Sequence, residues 1–383
     1  MKLTPRLALA CAIAALPAFA AAQTCFYENY DYKGASYCTD ASSGDTTAPV
    51  IDKISAVKVP AGYKVVLYQH PGFTGKTLEL QGDTPNLSTL GFNNLTSSFQ
   101  LVATQPAPTA ARQILFIGNS FFHGQYEPTL HFNAANVLDL NGSGYGGVPG
   151  IFKQLTVDAG LNYTATIEAV SGQSLQYHYT NKLALIGSKA FDVVVMADYS
   201  TLDQSDPGNP AKLLKYSRLL EQYVHGGTNP HPNPKARVFL MGTWARADQL
   251  YHTPGGHWDG KTVEQMANDL QTAYLQAAAQ DPAIEAVIPV GEADARAVTE
   301  GVADRNPYDN VVAGIVKVWN VDNYHASAWA SYLEALVLFG RITGLDPRSL
   351  SPDGAAPKGL GITSVQASAA QNIAWEQLAQ AAR

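Results

Sequence analysis

The chain has 383 residues, 46% hydrophobic and only 15% charged, with a formal net charge of −7. Such a length admits two domains and a sizeable core. The acidic balance excludes a general nucleic-acid binder, which needs a basic face to neutralise phosphates, and no segment past the N-terminus is long and apolar enough to span a bilayer.

Residues 1–22 have the make-up of a secretory signal peptide. Lys2 and Arg6 precede the apolar stretch "LALACAIAALPAFA", and small residues at Ala18-Phe19-Ala20 or Ala20-Ala21-Ala22 offer a cleavage site. The expected location is therefore secreted or periplasmic. Cleavage removes both cations and takes the net charge to about −9. It also removes Cys11, leaving Cys25 and Cys38 as an even pair in an oxidising compartment, where a disulfide is expected. The chain-entropy argument gives such a bridge about 3 kcal/mol.

Residues 24–102 read as all-β. Short alternating runs, "SAVKV", "KVVLY", "KTLEL" and "SFQLV", are separated by glycine, proline and asparagine. The stretch also repeats itself. "CFYENYDYKGASYC" and "VVLYQHPGFTGKTLEL" each hold a strand, an aromatic (Tyr27, Tyr68), an aromatic-x-Gly turn (Tyr32-Lys33-Gly34, Phe73-Thr74-Gly75) and a second strand. A serine-bearing segment follows each copy, "DKISAVKV" and "NNLTSSFQLV". A four-strand unit cannot bury its apolar face alone, so the two are expected to pack as a small sandwich.

This plan resembles a βγ-crystallin domain, a Greek-key β-sandwich. That family's calcium signature is two Asn/Asp, two variable positions, Ser/Thr and Ser, and Asn93-Asn94-Leu95-Thr96-Ser97-Ser98 matches it in full. The first copy, Ile51-Asp52-Lys53-Ile54-Ser55-Ala56, keeps only Asp52 and Ser55. The resemblance implies calcium ligands among Asn93, Asn94, Ser97, Asp52 and Ser55. The donors are mostly neutral, so a site there is expected to be weak. The other reading of the same side chains is that they brace β-turns.

A proline- and alanine-rich linker, "ATQPAPTAAR" (103–112), comes next. From 113 to 383 the pattern alternates strand and helix. Strands are expected at 113–118, 162–169, 191–197, 237–242 and 284–290, and helices around 148–159, 210–224, 262–279, 326–342 and 365–380. Such alternation predicts an α/β domain of three layers, a mostly parallel sheet covered on both faces. Sites in such sheets lie at the carboxyl ends of strands.

Ser120 closes "ILFIGNS" at one such end. A serine hydroxyl is a poor nucleophile until a base takes its proton. The base is most often histidine, which needs an acid to orient it. Among the nine histidines, His325 has Asp322 three residues before it, in "VDNYHASAW", on a loop running into an expected helix.

Residues 113–345 resemble an SGNH (GDSL-type) hydrolase. Gly118-Asn119-Ser120 stands for the family's Gly-Asp-Ser, with Asn119 replacing aspartate, and Asp322-Asn323-Tyr324-His325 for its Asp-x-x-His. The resemblance implies Ser120 as nucleophile, His325 as base and Asp322 as the orienting acid. "AVSGQSL" (169–175) fits the family's glycine block, which implies that the backbone N–H groups of Ser120 and Gly172 hold the oxyanion. The third block, usually Gly-x-Asn-Asp, corresponds to "FDVVVMADYSTLD", which has neither asparagine nor glycine. Asp198 stands in that region as a candidate, and it repels an oxyanion when ionised. Losing one donor costs on the order of 10²–10³ in rate.

Other motifs point elsewhere. "NGSGYGG" (141–147) echoes a dinucleotide loop but lacks an expected strand before it, and reads as a flexible loop near the pocket. "HTPGGHWD" brings His252, His257 and Asp259 together, too few ligands for a metal site. Trp244 and Trp258 suit either a sugar or acyl pocket or the core. No Gly-x-Ser-x-Gly elbow occurs, which argues against an α/β-hydrolase. The leading expectation is a secreted serine esterase without a catalytic cofactor, acting on acetyl or short acyl groups of carbohydrate or on lipid esters. The alternative is a non-catalytic binding protein with a degenerate hydrolase domain and a calcium-binding β domain. The oligomeric state is not legible in the sequence.

Overall fold

The computed structural model describes residues 23–44, 52–60, 62–103, 110–309 and 314–381. The expected signal peptide lies outside these residues, as does most of the expected linker. The chain divides into two compact units, Met1–Leu101 and Val102–Arg383.

The first unit is all-β. Its strands are β1 (Thr24–Asn29), β2 (Lys33–Thr39), β3 (Ala56–Lys58), β4 (Tyr63–His70), β5 (Thr74–Leu80) and β6 (Ser98–Ala103). They form two three-stranded sheets, in the orders β2-β1-β3 and β5-β4-β6. The fourth strand expected of each repeat is reduced to an isolated bridge, and each bridge crosses to the other repeat. Ser43 pairs with Phe99, and Thr84 pairs with Val57. The core is shared in the same way: Phe26 and Val57 from the first repeat pack with Val65, Leu67 and Phe99 from the second. The Phe26 and Phe99 rings lie 4.2 Å apart. Burying one such side chain is worth roughly 1.5–3 kcal/mol, and here that gain needs both repeats. Cys25 and Cys38 face each other across β1 and β2 and are joined as a disulfide.

The repeat also holds at the level of single atoms. Tyr27 meets Tyr32 edge-on at 5.7 Å, and Tyr68 meets Phe73 at 5.6 Å. Gly34 and Gly75 follow at φ of 80° and 83°. A Cβ on Gly34 would lie 2.6 Å from Asn29 Nδ2, and one on Gly75 would lie 2.5 Å from His70 Cδ2. The aromatic-x-Gly turn therefore needs glycine for both conformation and space.

The second unit alternates strand and helix. In chain order it runs β7 (Arg112–Gly118), α1 (Ser120–His123), β8 (Val137–Asp139), α2 (Gly147–Asp158) and β9 (Tyr163–Ala169). Next come α3 (Leu175–Asn181), α4 (Leu183–Ile186), β10 (Val193–Met196), α5 (Ala211–His225) and β11 (Arg237–Met241). The remainder is α6 (Ala247–Tyr251), α7 (Val263–Gln280), β12 (Ile284–Ile288), α8 (Val290–Thr299), α9 (Ala328–Thr343), α10 (Ala355–Gly359) and α11 (Ser364–Ala381). Every expected strand and long helix is present. The sequence did not announce the three-residue edge strand β8, the helix α8 or the short helices α1, α3, α4, α6 and α10.

The six strands form one sheet in the order β12-β11-β10-β7-β9-β8, with parallel pairing throughout. β7 lies inside it, and Ile114, Leu115, Phe116 and Ile117 are fully buried. Side chains on both faces of that strand meet apolar layers, so its sequence is an unbroken apolar run.

The strand order also positions the site. From β7 the chain passes to the edge strand β8 and returns to β9 on one side, then crosses back past β7 to β10, β11 and β12. α3 packs on α5 and α5 on α7, while α2 packs on β9 and α9. The connection leaving β7 diverges from those leaving both its neighbours, so a crevice opens at the carboxyl end of β7. Among the described residues no helix is long and apolar enough to cross a membrane.

Candidate active site

The turn after β7 is built by three consecutive residues. Gly118 ends the strand, where a Cβ would lie 2.9 Å from Phe122 Cδ2 and 3.1 Å from the Ala197 carbonyl. Asn119 caps α1, its Oδ1 accepting from the Phe121 N–H at 3.1 Å. Its Nδ2 donates to the carbonyls of Gln173 (2.9 Å) and Asp198 (3.2 Å). One amide thus ties together the turns that follow β7, β9 and β10. An aspartate in this place would have no N–H to give, so asparagine does here what aspartate cannot. Ser120 opens α1 and is 3% exposed.

His325 arrives on the loop before α9. Its carbonyl accepts from the Asn320 N–H at 2.7 Å, and Asn323 bends the loop with φ of 56°. Asp322 organises this loop from within. Its Oδ1 accepts from the N–H groups of Tyr324 (3.1 Å) and His325 (3.0 Å). Its Oδ2 accepts from the His325 ring at Nδ1 (2.6 Å) and from the Tyr126 hydroxyl (3.2 Å). A carboxylate only accepts, so Nδ1 carries the imidazole proton and Nε2 is left as an acceptor. Nε2 lies 2.8 Å from Ser120 Oγ, which therefore donates to it.

The electrostatics set the charge state of both side chains. Burial pulls the His325 pKa below the ordinary imidazole value, although Asp322 pushes the other way. Burial pushes the Asp322 pKa up, but hydrogen bonds from the His325 ring and from backbone N–H groups outweigh it and leave it below the ordinary value. At neutral pH this gives a neutral histidine beside an ionised aspartate.

A layer of packed rings supports the loop. Phe121 stacks on Trp244 at 3.7 Å, and Trp244 Nε1 donates to the Tyr324 carbonyl at 3.2 Å. The Arg246 guanidinium lies 3.7 Å from the centre of the Tyr324 ring. The same guanidinium is held by Asp248 through two bonds of 2.9 and 2.6 Å and donates to Ser200 Oγ at 3.1 Å. Trp244 and Trp258 are both core residues.

Gly172 lies in the turn after β9, at φ of 70°. That turn is anchored to the end of β7 by the Val170 N–H, which donates to the Gly118 carbonyl at 3.0 Å. Asp198 is fully buried at the end of β10. Its Oδ1 accepts from the N–H groups of Leu175 (2.9 Å) and Tyr199 (2.7 Å). Its Oδ2 has no partner among the described residues. Burial pushes its pKa up to about 6, and the two backbone bonds offset this only in part. The carboxyl group is thus committed as an acceptor that fixes the start of α3.

The remaining motifs take structural places. "NGSGYGG" does follow a strand, β8, which sequence reasoning missed. The Asp139 carboxylate accepts from the N–H groups of Asn141 (2.9 Å), Ser143 (2.9 Å) and Tyr145 (3.2 Å). An acidic side chain fills the loop that would otherwise cradle a phosphate. In "HTPGGHWD", His252 packs on Tyr308 at 4.1 Å, and Asp259 accepts from the Gly255 N–H at 2.8 Å.

In the first unit the calcium candidates form two pairs that cross the repeats. Ser97 Oγ lies 2.7 Å from Asp52 Oδ1, and Ser55 Oγ donates to Asn94 Oδ1 at 3.3 Å. Asp52 and Asn94 share a positive φ, 60° and 56°. Asn93, Asn94 and Ser55 line a cleft of about 350 Å³ together with Glu28 and Lys53. Asn93 Oδ1 is buried with no partner among the described residues, which suits a hard cation. The Lys53 ammonium, 3.9 Å from the Glu28 carboxylate, opposes one.

Comparison with known proteins bears mainly on the first unit. Residues 20–80 match the family described as Peptidase inhibitor family I36. The chain is 34% identical over 94 residues to Development-specific protein S of Myxococcus xanthus, covering 23% of this chain and 51% of that one. It therefore spans about half the length of that relative. A βγ-crystallin domain from Clostridium beijerinckii is 26% identical, covers 22% of this chain and 100% of its own, and has a TM-score of 0.20. A DUF4886 family protein from Bacteroides uniformis is 16% identical, covers 72% of this chain and 97% of its own, and has a TM-score of 0.49. The first unit is similar to βγ-crystallin domains and to protein S.

Proposed function

We propose that the second unit is a serine ester hydrolase of the SGNH type. The observation that carries this reading is the continuous contact from Ser120 Oγ to His325 Nε2 (2.8 Å) and from His325 Nδ1 to Asp322 Oδ2 (2.6 Å). Ser120 Oγ attacks the ester carbonyl while Nε2 of His325 takes its proton. The oxyanion of the tetrahedral intermediate accepts from the backbone N–H groups of Ser120 and Gly172. His325 then gives its proton to the leaving alcohol, and the acyl-enzyme is resolved by water activated at the same Nε2. Asp322 stabilises the imidazolium throughout and keeps its own charge. No step needs a cofactor. The substrates are acetyl or short acyl esters of carbohydrate, or lipid esters. The leader-like residues 1–22 and the Cys25–Cys38 disulfide support export.

A second reading, a non-catalytic binding protein, draws on Asp198, an acceptor where the family carries an asparagine donor. One experiment separates the two. A fluorophosphonate probe is expected to label the wild type and spare Ser120→Ala, with hydrolysis of p-nitrophenyl acetate lost in parallel. A wild type that is neither labelled nor active would establish the binding reading. For the first unit we infer a weak calcium site at best, its oxygens drawn from Asp52, Ser97, Asn93, Asn94 and Ser55.

A further inference from the structure

We propose that His123 is a positioning residue for this reaction: through Ser171 it holds the turn that offers the Gly172 N–H to the developing oxyanion. The inference rests on the esterase reading of Ser120. His123 closes the single helical turn that Ser120 opens, so both side chains leave one short rigid piece of chain. The His123 ring is 1% exposed. Its Nδ1 lies 2.6 Å from the Gly124 carbonyl and its Nε2 lies 2.8 Å from Ser171 Oγ. A carbonyl only accepts, so the proton sits on Nδ1, Nε2 is the acceptor, and the Ser171 hydroxyl donates. Tyr145 stacks on the ring face at 4.1 Å. Burial pulls the His123 pKa down to about 4, so the ring stays neutral and keeps this polarity in ordinary conditions. His123 has no carboxylate among its hydrogen-bond partners, which sets it apart from the base His325.

The turn after β9 is consequently held at three points. The Val170 N–H donates to the Gly118 carbonyl at 3.0 Å, Ser171 Oγ to His123, and Asn119 Nδ2 to the Gln173 carbonyl at 2.9 Å. All three partners belong to the nucleophile's own turn. Nucleophile and oxyanion donor are thereby fixed to each other, whatever the third block does. This matters in a chain whose third block offers Asp198, because fewer donors must be placed more accurately.

The test is steady-state hydrolysis of p-nitrophenyl acetate by the full chain and its Ser171→Ala, His123→Ala, His123→Gln and doubly substituted (His123→Ala with Ser171→Ala) variants. Removing an oxyanion donor costs about 10²–10³, so a displaced one is expected to cost about tenfold or more in kcat with KM little changed. The double variant is expected to lose no more than the worse single one, because the two act through one bond. A glutamine amide oxygen can accept from the Ser171 hydroxyl, so His123→Gln is expected to recover part of the loss. Wild-type kcat in Ser171→Ala, a loss that falls on KM, or losses that multiply in the double variant would each overturn the proposal. Ser171 is exposed, so Ser171→Ala decides the matter even where His123→Ala does not fold. A wild type without Ser120-dependent turnover would instead remove the esterase reading itself.

Discussion

His325 Nε2 stands 2.8 Å from Ser120 Oγ although 205 residues separate them in the chain. The fold brings them together, since the turn after β7 and the loop before α9 meet at the carboxyl end of that inner strand. Under the esterase reading, His325→Ala should leave the fold intact and reduce turnover by about 10⁴-fold or more. Normal turnover in that variant, measured with p-nitrophenyl acetate beside a matching circular dichroism spectrum, would show that another group is the base.

Under the same reading, the depressed pKa of His325 is expected to set the acid limb of the rate profile. The base works only when neutral, so kcat/KM should fall as pH falls through its folded pKa. Burial lowers that pKa despite Asp322, so half-maximal rate should come below the ordinary imidazole value of about 6.5. Asp322→Asn withdraws the charge that stabilises the imidazolium and should cut kcat by about 10⁴-fold. A limb above that ordinary value would contradict the assignment.

Asn119→Asp supplies the aspartate of the Gly-Asp-Ser pattern that this turn resembles, but it should destabilise this protein. It deletes two donated bonds and points a buried charge at the carbonyls of Gln173 and Asp198. The expected loss is about 2–4 kcal/mol, read from the denaturant midpoint. An unchanged midpoint would mean that the amide is not the tie between the three turns.

Glu334 on α9 and Asp294 on α8 are buried acids, and both Glu334 oxygens and Asp294 Oδ1 lack partners among the described residues. Burial raises both pKa values well above the ordinary range, and Asp294 raises Glu334 further. A raised acid stabilises fully below its unfolded pKa, and that contribution is lost as pH climbs from about 4 upward. Glu334→Gln should therefore raise the melting temperature at pH 7, by roughly 2–4 °C for each kcal/mol recovered. A lower melting temperature would indicate that the carboxyl group is held by a partner after all.

Calcium should raise the melting temperature of the intact protein only at about 10⁻⁴–10⁻³ M or above, the range of weak extracellular sites. Lys53→Ser removes the cation from the cleft and should tighten binding several-fold. No shift in millimolar calcium for either protein would dispose of the site.

The parts of this molecule that were legible in sequence are local. β7 announced itself because both its faces are buried, and Asp322 with His325 because the carboxylate stands three residues before the imidazole. The aromatic-x-Gly repeat was visible because each copy needs its glycine for the same two reasons. The bond between His123 and Ser171 was not legible, since the partners lie 48 residues apart and neither has a companion nearby in the chain. Nor was the work of Asn119, because its acceptors are backbone carbonyls that no sequence pattern marks. β8 is too short to show alternation, and α8 hides its helical face behind the buried acid Asp294.

The crossed bridges of the first unit have a consequence for its cooperativity. Ser43 and Thr84 each complete the other repeat's sheet, and Phe26 packs on Phe99. Neither half has an interior of its own, so a chain severed near residue 61 should yield two fragments that are unfolded apart and regain structure only when mixed. The duplicated piece should melt in a single step.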